Sequence, residues 1–389
     1  MMRPDYQGDG IVNLMRSIGE ACGAPVSSST LYHPLKLLDA STLNEARHIL
    51  LLVIDGLGYN YLMNNGQGGA LHGALRGHMT SVFPSTTATA ITAFMSGVAP
   101  QQHALTGWHI YFEELNAIAA VLPLTPRGGK KFDVEAEKLP SRLFNHEPIF
   151  NRITRPALVF SPHYIARSPF SLYNAGRAEI RPYKKLDDLF IQLSDAVRGA
   201  REPSYIYAYY PDLDALAHEH GIASAAVAHR FAALDAAFGE LLHHLRDTDS
   251  VVIATGDHGF IDAPDERLIS LEAHPELAET LVRPLCGERR VAYCYVKPAM
   301  HAQFVGYVQD HFAHCTEIIE SADLIAQGWF GLGPPHPHLA SRVGDYTLIM
   351  KEDWTIKDSM PGESMYHQIG VHGGVSHDEM LVPLIVAGR

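Results

Sequence analysis

Residues 48–58 read His48-Ile-Leu-Leu-Leu-Val-Ile54-Asp55-Gly56-Leu57-Gly58. From Ile49 to Ile54 the run is short, apolar at every position and partly β-branched. A strand with one face in water would alternate apolar and polar residues, so this run predicts a strand covered on both faces, as in a parallel sheet. Asp55-Gly56 closes it in a turn. The same unit recurs further along. Ser204-Tyr-Ile-Tyr-Ala-Tyr-Tyr210 predicts a strand ending at Pro211-Asp-Leu-Asp214, and Ser250-Val-Val-Ile-Ala-Thr255 predicts one ending at Gly256-Asp257-His258-Gly259. Helical patterns lie between and after them, at 81–97, 185–197 and about 223–245. Strand, turn with aspartate, then helix, several times over, predicts an α/β fold with a doubly wound, mostly parallel sheet and helices on both faces. In such sheets ligands bind beyond the carboxyl ends of the strands, where Asp55, Asp214 and Asp257 fall.

The chain has 389 residues, more than one simple core usually holds, and 47% of them are hydrophobic. The spacing predicts a catalytic core over 1–261 and 359–389. A loop-rich insertion covers about 108–183, and an inserted α+β cap covers 262–358. The net charge of −13 argues against a nucleic-acid polymer or an anionic membrane as partner, yet not against a small phosphorylated substrate, because bound cations reverse a local field. Cys22, Cys286, Cys294 and Cys315 form no CxxC pair and read as buried free thiols. Residues 1–23 contain no apolar leader-like core, and no later run is long enough to cross a bilayer. The expected location is the cytoplasm. Oligomeric state is not legible at this level.

Ser81-Val-Phe-Pro-Ser-Thr-Thr87-Ala-Thr-Ala-Ile-Thr-Ala-Phe94 predicts a buried helix with hydroxyl residues at its start. Hydroxyl oxygens accept the unpaired N–H groups of a first turn, and the same N–H groups attract anions such as phosphate. Gly97 and Pro100 predict its end. Asp214 and His218, four apart, share a helix face and can grip one ion. Asp257 and His258 place two ligand types side by side at a strand end. His372-Gly373-Gly374 adds a late histidine among small neighbours. Three Asp and three His suit Zn²⁺, with Mn²⁺ or another divalent ion as the alternative. A pair of ions roughly 4 Å apart would clamp an in-line phosphoryl displacement, and a threonine hydroxyl beside them would serve as nucleophile.

On these residues the chain resembles the alkaline phosphatase superfamily, and within it the type I phosphodiesterase/nucleotide pyrophosphatase branch. The motifs that carry the resemblance are Asp55-Gly56 after a strand, Thr87 ten residues before Gly97, and Pro100 with His103. Asp214-x-x-x-His218-x-x-Gly221, Asp257-His258-Gly259, and His372-Gly-Gly followed by Glu379-Met-Leu-Val-Pro-Leu384 complete the set. The resemblance implies a two-metal hydrolase of phosphodiester or pyrophosphate bonds working through a phospho-threonine. It implies one ion on Asp214, His218 and His372, and another on Asp55, Asp257, His258 and the hydroxyl of Thr87. The chain also departs from the pattern. Phe83-Pro84 precedes the nucleophile position rather than following it, and Thr86 competes with Thr87. The family's phosphoryl-binding Asn would fall near Trp108, where there is none. Trp108 and Tyr111 are candidate stacking surfaces for a substrate group. Arg127, Lys130, Lys131 and Arg167 are candidate clamps should the substrate be a monoester, which makes a phosphomonoesterase or phosphomutase the alternative enzyme. A sulfatase lacks its CxPxR-like context here. A metal-dependent binding protein without turnover would lack a ligand or the nucleophile, and none is lacking.

Overall fold

The computed structural model describes residues 1–25, 31–38, 40–128, 132, 134–360, 363 and 367–388. A seven-stranded sheet runs in the order Leu75–Thr80, Leu381–Ala387, Ser250–Gly256, His48–Ile54, Ser204–Tyr210, Ala157–Pro162, Glu179–Tyr183. His48–Ile54 pairs in parallel with both neighbours, placing Ile54 level with Tyr210 and with Gly256. Leu381–Ala387 alone runs against its neighbours in this sheet. Asp55, Pro211 and Asp257 therefore emerge at one edge, and the segment before Leu381 arrives at that same edge from the opposite direction.

The expected double coverage of the first strand is present, and its period of two divides the core. Ile49, Leu51 and Val53 face a cluster built with the helices Ile11–Ala21 and Thr87–Ser96. Leu50, Leu52 and Ile54 face another, built with Leu186–Gly199 and Ala225–His244. The helix of the hydroxyl-rich stretch begins at Thr87, later than the sequence pattern opens, and ends at Gly97 in the left-handed conformation that glycine adopts without strain.

A second sheet, antiparallel, has the order Thr316–Glu320, Tyr346–Met350, Val291–Cys294, Cys286–Gly287, His109–Phe112, Ala117–Ala120, Thr125–Pro126. The segment read as a loop-rich insertion is thus divided between the sheets. Its first part joins this second sheet through the pairing of His109 with Gly287. Its later strands, Ala157–Pro162 and Glu179–Tyr183, extend the first sheet. The short, alanine-rich strand Ala117–Ala120 carries little strand signal by itself, and only its neighbours give it a place. Among the described residues, no helix is long and apolar enough to cross a membrane.

Candidate active site

Asp55 follows the first strand and is buried. Gly56 takes φ +78° behind it, and a Cβ there would press on the ring of Phe260. Asp257 follows the strand Ser250–Gly256. Its Oδ1 accepts the N–H groups of Gly56 and His258, each at 3.0 Å, which leaves Oδ2 turned to the imidazole. Oδ2 lies 3.5 Å from His258 Nε2, and Asp55 Oδ1 lies 3.2 Å from the same nitrogen. Asp214 and His218 sit one turn apart on the helix Asp212–His220, Oδ1 to Nε2 3.5 Å. His372 arrives from the chain before the last strand, its Nε2 3.2 Å from His218 Nε2 and 3.7 Å from Asp214 Oδ1. Its ring stacks on that of His258 with centroids 3.7 Å apart. The six residues read from the sequence as ligands therefore converge, with His258 Nε2 also 4.0 Å from Asp214 Oδ1.

The rings are oriented by carbonyls. His218 Nδ1 is 2.9 Å from Gly370 O, and His258 Nδ1 is 3.1 Å from Gly259 O. A carbonyl only accepts, so Nδ1 carries a proton in each ring and Nε2 faces the cluster. Burial lowers the His218 imidazole to about 4 and takes His372 well below the ordinary value. Burial pushes Asp55 up to about 6, and burial with the charge of Asp55 pushes Asp257 up to about 8. Asp214 is raised by burial and then by Asp55 and Asp257. Asp55 and Asp257, both buried, and the partly buried Asp214 repel one another, and a cation among them would relieve that repulsion. Asp214 Oδ1 and Asp257 Oδ2 are buried without a hydrogen-bond partner and face the cluster. The ligand atoms fall into two groups, Asp214 with His258 and His372, and Asp55 with Asp257 and His258. The donor set fits divalent ions.

Thr87, which the spacing to Gly97 singles out, and its competitor Thr86 part company here. Thr87 Oγ1 is 3.1 Å from His258 Nε2 and 3.4 Å from Asp55 Oδ1. Thr86 is the residue before the helix, but its side chain makes no cap. Its hydroxyl donates instead to Glu288 Oε1 at 2.6 Å. Glu288 Oε1 also accepts the Trp108 N–H at 2.6 Å, and burial pushes this carboxyl up to about 7. The Tyr209 hydroxyl donates to Asp55 Oδ2. Neither Glu288 nor Tyr209 was legible as a site residue. Glu288 lies in a turn without a motif, and Tyr209 is one of several tyrosines in a strand; only the register puts its hydroxyl over Asp55.

The cluster opens into a cleft of about 810 Å³ lined by Thr86, Thr87, Trp108, Asp214, Glu288 and His372 among others. Trp108 is 40% exposed there. Tyr111 does not join it. Arg283 stands 3.4 Å over its ring, and Tyr295 packs at 5.6 Å. The candidate clamps fare unevenly. Arg127 lines the cleft, but its guanidinium is taken by Asp358 and Glu363, both at 2.7 Å, and by Leu285 O. Arg167 is exposed elsewhere, and Lys130 and Lys131 lie outside the described residues. His103 is buried with its Nε2 unpartnered, outside the ligand cluster.

The family model of type I phosphodiesterases and nucleotide pyrophosphatases matches residues 49–374. The chain belongs to that family. As a type I phosphodiesterase/nucleotide pyrophosphatase it is a hydrolase of the alkaline phosphatase superfamily. The solved structures it is similar to agree on the fold. Murine ectonucleotide pyrophosphatase/phosphodiesterase 5 superposes with a TM-score of 0.65 at 17% identity, covering 88% of each chain. An inactive threonine-to-alanine variant of that murine protein, in complex with AMP, gives 0.64 at 17% identity over 86% of this chain and 87% of its own. The human counterpart gives 0.62 at 17% identity over 88% of each chain. Comparison with curated proteins by sequence returns no match.

Proposed function

We propose that this family member cleaves a phosphodiester or pyrophosphate bond of a small nucleotide-like substrate through a phospho-threonine at Thr87, with two divalent ions, Zn²⁺ before Mn²⁺, held by the converging ligands. The observation that carries the reading is the position of Thr87 Oγ1 against both His258 Nε2 and Asp55 Oδ1. Asp214, His218 and His372 would hold one ion, and Asp55, Asp257, His258 and the Thr87 hydroxyl the other. Bound there, the ions would supply Lewis-acid activation of the hydroxyl and neutralise charge on the phosphoryl oxygens.

The chain's own residues do the rest. Thr87 stands at the first turn of a buried helix, so its hydroxyl is held in one place while the first-turn N–H groups point toward an incoming anion. The bond from Oγ1 to phosphorus forms as the bond to the leaving oxygen breaks; water later cleaves the Thr87 ester and regenerates the hydroxyl. Trp108 offers an exposed aromatic face in the cleft for the second substituent of a diester. AMP in the murine relative's complex supports a nucleotide in such a cleft. The engagement of Arg127 by two carboxylates weighs against the monoesterase alternative. All four cysteines are free and buried, in keeping with a reducing compartment.

The test is trapping. Brief incubation with a diester and acid quench is expected to leave the phosphoryl group, still carrying its second ester substituent, on the tryptic peptide containing Thr87. No such adduct on any peptide, with turnover intact, would overturn the covalent route.

A further inference from the structure

We propose that Glu288 sets the charge of the substrate this site accepts: its carboxylate makes the wall beside the nucleophile anionic, favouring a singly charged phosphodiester over a dianionic monoester. This rests on the reading of Thr87 as nucleophile.

Glu288 lines the cleft beside the nucleophile's neighbour Thr86. It reaches the Trp108 backbone, the position at which the expected Asn is missing. The same Oε1 accepts the hydroxyl of Thr86, the residue immediately before Thr87. Both bonds are 2.6 Å long, the length of charge-assisted contacts, and Oε2 takes part in neither. The stem of Glu288 fills the space over Gly373, next to His372. A Cβ at Gly373 would come within 2.9 Å of Glu288 Cβ and Cγ, and the glycine is also at φ +102°. The small residue between His372 and Gly374 is thus what lets a carboxylate stand at this point of the cleft. Glu288, Thr87, Asp214 and His372 line one cavity.

Of the cations that line the cleft with Glu288, namely Arg127, Arg289 and Lys357, the first is held by other carboxylates. Arg127 is bound by Asp358 and Glu363, and in the pair with Asp358 the side chains are only 6% and 11% exposed. Arg289 lines the cleft beside Glu288, and its charge acts on that carboxyl. A substrate bearing one more negative charge at phosphorus meets the carboxylate, whereas a diester with a neutral second ester oxygen does not.

The experiment uses the metal-loaded full chain at a pH above 7, where the Glu288 carboxyl is ionised, with bis-p-nitrophenyl phosphate and p-nitrophenyl phosphate. The variants are Glu288→Gln, Glu288→Ala and, as a control for the underlying reading, Thr87→Ala. The Gln side chain keeps an oxygen that can accept from Thr86 and Trp108, so it removes charge and little else. The diester-to-monoester ratio of kcat/KM is expected to fall about tenfold in Glu288→Gln, through a gain on the monoester, and to move the same way in Glu288→Ala. An unmoved ratio, with Thr87→Ala dead, overturns the role of Glu288 alone. Loss of both activities in both Glu288 variants overturns it too, because the residue then serves a step common to both substrates or the fold. Diester turnover that survives Thr87→Ala overturns the nucleophile and this assignment together.

Discussion

At the scale of single residues, two adjacent threonines with the same side chain have different work. Thr87 Oγ1 faces His258 and Asp55, whereas Thr86 Oγ1 is spent on Glu288. Thr87→Ala is expected to lower kcat at least ~10³-fold, because the oxygen proposed to attack is gone. Thr86→Ala removes one hydrogen bond to Glu288 and is expected to cost tenfold or less. Steady-state kinetics on one diester decides; a dead Thr86→Ala beside an active Thr87→Ala would reverse the assignment. Tyr209 illustrates support from outside the ligand set. Its hydroxyl holds Asp55 Oδ2, leaving Oδ1 for the cluster. Tyr209→Phe is expected to weaken retention of the ion on that side by roughly 10–100-fold. Competition against a graded series of chelators measures it, and an unchanged affinity would show that Asp55 needs no such partner.

At the scale of elements, the antiparallel last strand is anchored by a buried ion pair just before it. Arg290 donates from Nε to Glu379 Oε1 at 3.0 Å and from Nη2 to Oε2 at 3.1 Å. Glu379 also caps the turn through Ser376 and accepts the Gly374 N–H at 2.8 Å. Burial by itself would raise this carboxyl. Arg290, Ser376 and Gly374 outweigh it, and the group lies below its ordinary value of 4.5. A carboxyl depressed in the folded state lends stability above the unfolded value and loses it as pH falls through the folded one. The stability of the wild type is therefore expected to decline below pH 4.5 in part through Glu379. Glu379→Gln leaves Arg290 buried without its counter-charge. It is expected to cost about 3–5 kcal/mol and to flatten the acid limb of the curve. Urea unfolding at pH 4 and pH 7 reads both effects; a variant with the wild-type acid limb would remove Glu379 as the cause.

At the scale of the whole molecule, the candidate ligands come from four separated segments, around residues 55, 214, 257 and 372, and the sheet brings them to one edge. Ions bound there would tie the first strand, the helix Asp212–His220 and the chain entering the last strand to one point. They would also relieve the repulsion among Asp55, Asp214 and Asp257. Chelation is expected to abolish turnover and to lower the melting temperature by roughly 5 °C or more, since an ion at 100 times its Kd stabilises by about 2.7 kcal/mol. Elemental analysis of the purified chain is expected to find close to two divalent ions. Metal-free protein that melts and turns over like the untreated protein would remove the ions from the mechanism.

Apolar strands, each closed by Asp, Pro or Gly, determined the middle of the sheet, its burial on both faces and the edge on which chemistry is placed, whereas the polar outer strands Leu75–Thr80 and Glu179–Tyr183 gave no such signal. Short-range spacing sufficed because a strand's coverage and a helix's face are local properties. The same spacing marked Asp214 with His218 and Asp257 with His258, pairs whose geometry is set within one turn. What lay beyond local sequence was decided by contacts between distant segments. The strands His109–Phe112 and Ala117–Ala120 belong to the second sheet only because Gly287 offers an edge to His109. Thr86 and Thr87 separate only because Glu288, some two hundred residues later, claims one hydroxyl and His258 faces the other. Tyr209 reaches Asp55 because two parallel strands share a register, and Arg127 is no clamp because Asp358 and Glu363 close on it. A hydrogen bond or an ion pair needs two partners, and nothing in the spacing of one names the other.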